Sequence, residues 1–213
     1  MPLMRRACLG LGLLILAALW LGPLPQLARH AFAAHMTMHM GVVAVAAPVL
    51  ALAIAGARLD PVRRAPGLFA PIVASVVEFL VVWGWHAPAL HRLARHAPGG
   101  LVVEQGMFLL AGALVWLSAL GGDPRDRASR AGAGIVALLL TSMHMTLLGA
   151  LLALPTRPLY PHTTGFAGLS PLQDQQLGGA IMLLVGGVVY LLGGLALAAG
   201  LLRGPVPQRE ERG

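Results

Sequence analysis

Six apolar runs, each long enough to cross a bilayer, constrain this chain more than any other feature. A crossing helix needs about 20 apolar residues, and the runs fall near residues 7–24, 31–57, 67–90, 99–121, 131–154 and 177–202 of 213. They take up well over half the chain and leave no connection long enough for a soluble domain. Inside lipid the backbone must satisfy its own hydrogen bonds, which restricts spanning segments to helices or closed barrels. A barrel would alternate apolar and polar residues over strands of roughly 10, whereas these runs are continuous. The expected fold is therefore all-α, a polytopic membrane helix bundle of about six transmembrane helices with its N-terminus in the cytoplasm. Residues 1–30 read as an N-terminal membrane anchor with an outer loop, 31–202 as the transmembrane helical domain, and 203–213 as a short cytoplasmic tail.

Charge supports this and sets the orientation. Only 11% of residues are charged, against about a quarter in an ordinary soluble domain. The net charge of +7 comes from fifteen basic residues, all arginine and all in short connections or at the termini. That distribution is a membrane pattern rather than a nucleic-acid surface. With the N-terminus inside, eleven arginines face the cytoplasm: Arg5, Arg6, Arg58, Arg63, Arg64, Arg125, Arg127, Arg130, Arg203, Arg209 and Arg212. Arg29, Arg92, Arg95 and Arg157 face outward. Cys8, the sole cysteine, excludes an internal disulfide or a Cys-pair metal motif. Arg5-Arg6 ahead of the first run, with Ala31-Phe32-Ala33 beyond it, is signal-peptide-like. The Ala-Phe-Ala lies well past the end of the run, so a retained anchor is expected. Gly179, Gly186, Gly193 and Gly200 repeat every seven residues, which predicts a packing stripe on the last helix. Pro48 is expected to remove one hydrogen bond from the second helix and bend it.

On this topology none of the eight histidines is cytoplasmic. His35 and His39 lie in the outer half of span two, His86 at the outer end of span three, and His144 near the middle of span five. His30, His91, His96 and His162 read as outer-loop residues that could serve metal access. Seven of nine methionines follow the same bias: Met36, Met38, Met40, Met107, Met143, Met145 and Met182. The segment His35-Met36-Thr37-Met38-His39-Met40 puts two imidazoles one helical turn apart on one face, a common way to present a pair of metal ligands. Met38 flanks that face, and Ser142-Met143-His144-Met145 repeats the pairing of imidazole with thioether on another helix. Thioethers are soft donors suited to copper(I), and imidazole suits copper, zinc and iron. Carboxylates in the spans are few: Glu104 near the outer end of span four, Glu78 deeper in span three, and Asp174 at the start of span six. Such residues are read as functional because burying them in lipid is costly. Glu104 could complete the ligand set or orient an imidazole. Each group alone has a duller reading, a histidine bonded to a neighbouring helix or a methionine filling core space. The candidate set rests on their joint outward placement.

At these residues the chain resembles the CtaG-type cytochrome c oxidase assembly factors. His35-Met36-Thr37-Met38-His39-Met40 resembles the family's His-Met-x-x-His-Met stretch, and Trp85-His86-Ala87-Pro88-Ala89-Leu90 its Trp-His-x-Pro motif. Glu104 with Phe108, Leu148-Gly149-Ala150 and Pro158-Leu159-Tyr160 continue the similarity. Asp174-Gln175-Gln176-Leu177-Gly178-Gly179 with Met182 resembles the Asp-Gln-Gln-Leu-Gly-Gly-x-x-Met signature. Gln105 stands where the family has histidine, and no ligand role is carried onto it. Leu183 likewise stands where a tryptophan often follows the methionine, and six spans stand where seven are common. The resemblance implies a non-enzymatic role in maturing a haem–copper oxidase, supplying copper, as copper(I), to its catalytic subunit. The candidate metal ligands are then His35, His39, His86, His144, Met38, Met145, Glu104, Asp174 and Met182. The implied setting is the bacterial inner membrane, crossed several times. The implied partners are the oxidase catalytic subunit, other copper chaperones, the lipid bilayer and a second copy of the chain, with no nucleic acid. The residues themselves leave three other readings open: a copper or proton-coupled transporter centred on Glu78, a haem-binding membrane cytochrome, and a structural subunit with no ligand.

Overall fold

The computed structural model describes residues 2–160 and 164–203, and it is all-helical, with no strand among those residues. The first apolar run forms α1 (Pro2–Leu21), followed by the short α2 (Leu24–His30). The second forms α3 (Phe32–Met40) and α4 (Ala47–Ile54), joined without a break by a π-helical segment, Gly41–Ala46. After α5 (Pro61–Arg64) come α6 (Pro71–His86), α7 (Pro88–His96), α8 (Gly100–Leu120), α9 (Arg127–Ala153) and α10 (Pro171–Leu202). Five stretches are long and apolar enough to cross a membrane: α1, α3 through α4, α8, α9 and α10. The α6–α7 pair supplies a sixth candidate, bent by 72° at its break.

Local chemistry accounts for the breaks. Ala87 precedes Pro88 and is held extended, at φ −62° and ψ 132°, as the proline ring demands of its neighbour. That ends α6 at His86, and Pro88 then starts α7 where its missing N–H costs nothing. At Pro48 the helix does not break; a π-helical segment, Gly41–Ala46, immediately precedes the proline turn. Ala47 N–H is bonded to Val42 O, five residues back, so the ladder changes register just before the residue that cannot donate.

Small residues set how closely the helices approach, since lipid supplies no hydrophobic drive between them. A Cβ on Gly149 of α9 would meet Leu183 N at 2.6 Å, and one on Gly179 of α10 would meet Ala153 N at 2.5 Å. The α9–α10 pair is thus in backbone contact. Further along the seven-residue stripe, Gly186 abuts Met145 and Met40, and Gly193 abuts Trp116 and Leu138. Gly200 meets nothing within 4 Å; it lines a cavity of about 490 Å³ with Arg5, Arg130 and Leu197. α1 lies on the outside of the bundle, its Gly12 against Leu50 and its Leu19 against Gly41. Large apolar side chains left exposed, such as Leu80, Leu110, Leu140 and Leu184, form the surface that lipid covers.

Candidate metal centre

The N-terminal end of α3 is secured before any imidazole is placed. Its first N–H groups have no partner within the helix, and Asp174 supplies one from α10. The Asp174 carboxylate accepts from Phe32 N at 2.6 Å, Ala33 N at 3.2 Å and Phe166 N at 3.2 Å. An acid at a helix N-terminus also suits the helix dipole. Gln175 closes the α9–α10 connection, accepting from Leu159 N at 2.6 Å and donating to Leu152 O at 3.1 Å. Gln176 adds a bond to Pro155 O at 3.2 Å. The Tyr160 hydroxyl donates to His86 O at 2.6 Å, and its ring stacks on Phe32 with centroids 4.5 Å apart.

Four buried imidazoles converge under this cap. The His35 and His39 rings are 6.3 Å apart and nearly parallel, as the one-turn spacing requires. His86, at the end of α6, lies 5.8 Å from His35 and 5.2 Å from His39 by ring centroids. The bend at Pro88 folds α7 back so that His91 stands edge-on to His35 at 5.0 Å. Phe108 closes one wall, 3.9 Å from the His39 ring. Glu104 reaches in from α8, its Oε2 3.6 Å from His35 Nδ1 and ion-paired with Arg95. Arg95 also donates to Ala28 O at 3.1 Å. Ligand atoms of His35, His91 and Glu104 all lie within 4.8 Å of one another.

The donor atoms are left available. Both ring nitrogens of His35 and of His39, Nε2 of His86, Nδ1 of His91 and Oε1 of Glu104 are buried with no hydrogen-bond partner. Buried polar atoms are nearly always paired, so a cluster of unpaired ones fits a group that the protein itself does not supply. His86 Nδ1 bonds to Val82 O at 2.6 Å. A carbonyl can only accept, so Nδ1 carries the proton and Nε2 keeps its lone pair. Neutral imidazoles with one carboxylate are donors suited to copper, zinc or iron. Arg95 balances Glu104, so a cation held here would add net positive charge to a dry interior.

The other candidates lie elsewhere. His144 packs edge-on to Phe79 of α6, centroids 5.4 Å apart, and makes no ring contact with the four converging histidines. Met38 joins Ala28 and Leu101 in a small apolar cluster. Met145 and Met182 are buried in the main core, where Met36 and Met40 face the α10 glycines Gly178 and Gly186. Met36, Met40 and Met145 thus pack towards the α10 glycines, and Met38 packs apart from them against Ala28 and Leu101. Asp174 commits its carboxylate to backbone N–H groups. His30 and His96 are exposed, and His162 lies outside the described residues. His91 and Arg95, read from sequence as outer-loop residues, belong to the cluster. Their i, i+4 spacing just past the Trp-His-x-Pro turn is the signal that marks them.

Fold and site together define a multi-pass membrane protein with a buried, histidine-lined polar site near one end of its helix bundle. The chain belongs to the cytochrome c oxidase caa3 assembly factor family (Caa3_CtaG), whose family model matches residues 1–204. No curated protein and no solved structure matches it.

Proposed function

We propose that this assembly factor carries copper in the His35–His39–His86–His91–Glu104 cluster and hands it to the catalytic subunit of a haem–copper oxidase in the bacterial inner membrane. The observation that carries the reading is the set of buried ring nitrogens without partners, converging from α3, α6 and α7. Copper is the cargo here, and the chain breaks no bonds. With the thioethers packed in apolar clusters apart from the imidazoles, the donors suit copper in either oxidation state. Four imidazoles and one carboxylate offer more donors than copper(I) needs, so ligands can be exchanged singly while the ion stays held. A bare ion does not cross apolar space, so transfer occurs by docking of the two membrane domains at their outer ends.

Metal analysis of detergent-purified protein tests this directly. Wild type loaded with copper is expected to retain it through gel filtration, and the His35→Ala/His39→Ala double variant to lose it. Equal copper in both proteins removes the cluster from the proposal. A visible Soret band in wild type assigns the histidines to haem instead.

A further inference from the structure

A second polar site, which the copper reading does not use, lies deeper in the bundle. Glu78 is fully buried on α6, two turns below His86 on the buried stripe Ser75, Glu78, Val82, His86. Its Oε1 is 2.5 Å from the Tyr190 hydroxyl of α10, which is itself 3.3 Å from Val43 O. The Trp116 ring of α8 stacks on Tyr190 with centroids 5.3 Å apart. From α9, Thr141 bonds to Ser75 at 3.0 Å. Tyr190 is the titratable group facing Glu78, and among the described residues no cation lies within ion-pair distance of it.

The backbone decides which way these hydrogen bonds run. In the π-helical segment Ala47 N–H goes to Val42 O, so the next rung would be residue 48 to Val43 O. Residue 48 is proline and has no N–H. Val43 O is thereby left without a main-chain donor in a dry interior, where an unmet carbonyl is costly. The Tyr190 hydroxyl is the donor that reaches it, and a phenol has one proton to give. With that proton directed to Val43 O, the short Glu78–Tyr190 contact needs Glu78 to be its donor. The geometry points to Glu78 as a proton-binding site, carrying its proton in a chain from Glu78 through Tyr190 to Val43 O. Oε2, which has no hydrogen-bond partner, is then a neutral carbonyl oxygen rather than half of a bare carboxylate.

The proton has a use that follows from the charge of the centre above, and this part rests on the copper reading. Glu104 is already neutralised by Arg95, so a copper ion adds uncompensated positive charge. Glu78 lies about 12 Å below His86 at 1.5 Å per residue. Over that distance, at an effective dielectric near 20, one charge changes the proton affinity of another by about tenfold. Copper(I) in favours the proton out: the carboxylic acid becomes a carboxylate, the proton leaves to solvent, and one positive charge replaces another in the interior.

Infrared difference spectroscopy on the full-length, metal-free protein at neutral pH tests the proton site. Wild type minus Glu78→Gln should show the C=O stretch of a protonated carboxyl, and Tyr190→Phe, which keeps the packing, should shift it. Finding carboxylate bands alone overturns the proposal, as does a carboxylate band perturbed by sodium or calcium, which would make this an oxygen-lined cation site. If Glu78→Gln does not fold, the shift in Tyr190→Phe decides. Loading copper into wild type should weaken the carboxyl band, and copper affinity should rise about tenfold with pH in wild type and stay flat in Glu78→Gln. Copper bound with the band unchanged overturns the coupling. Failure of copper to bind at all refutes the reading of the upper centre and leaves the metal-free spectrum as the test of the lower one.

Discussion

Individual side chains divide the candidate residues by what each atom is already bonded to. Asp174 has both oxygens occupied by backbone N–H groups, whereas the ring nitrogens of His35 and His39 have no partner. Different losses should follow. Asp174→Ala uncaps α3 and should cost about 1–3 kcal/mol of stability, read as a lowered thermal midpoint in detergent, with retained copper still at the wild-type ratio per folded molecule. His91→Ala removes a donor and should weaken copper binding at least tenfold, the lower end of what loss of a ligand's support costs at metal sites, about 10–100-fold, while leaving the midpoint near wild type. His144→Ala should change neither quantity, because that ring packs on Phe79 away from the cluster; a loss of copper there would extend the site to α9. Arg95→Gln leaves Glu104 buried without its counter-charge and should lower both stability and metal retention.

Helices contribute through where they stop. α6 ends at His86 because Pro88 forbids its continuation, and the resulting 72° bend brings His91 against α3 and Arg95 against α2 and Glu104 of α8. Pro88→Ala restores the missing N–H and lets α6 extend, which would swing both residues away. Circular dichroism should then show equal or greater helicity alongside weaker copper retention, a combination that ordinary unfolding does not produce. The α9–α10 pair works the other way, through contact along its length. A Cβ on Gly149 would sit 2.6 Å from Leu183 N and 2.8 Å from Leu183 Cα, and backbone cannot step aside as a flexible side chain can. Gly149→Val should therefore destabilise by about 1–3 kcal/mol or more, whereas Gly132→Ala, with nothing within 4 Å, should stabilise by up to about 1 kcal/mol through helix propensity.

The molecule as a whole separates its imidazole cluster from an arginine-lined cavity at the other end of the bundle. The imidazole cluster sits among the ends of α3, α6, α7 and α8 on the side with four arginines, and the cavity with Arg5 and Arg130 sits at the opposite end. Orientation is therefore a statement about function, since a donor of copper to an outward-facing site must itself face outward. A cysteine at Pro98, in the α7–α8 connection, should react with a membrane-impermeant maleimide in intact cells in a Cys8→Ala background. One at Arg125 should react only after the membrane is permeabilised. The reverse pattern would put the cluster on the cytoplasmic side and remove the proposed hand-over.

Five apolar crossings, a sixth candidate at α6–α7 and the His35–His39 pair are legible from residue order because each depends on local chemistry: apolar length and a 3.6-residue period. The glycine stripe is legible for the same reason, although its partners are not. What only the folded chain decides is which side chains from distant segments meet. Met38 and His35 are neighbours in sequence and share no cluster, whereas His91 and His35, 56 positions apart, stand 5.0 Å from each other. The turn at Pro88 is local, but the packing that brings α7 beside α3 is not a property of any one segment. Asp174 shows the same limit from the other direction. An acid at the start of a helix reads alike as ligand or cap until the N-terminus of α3 is brought beside it.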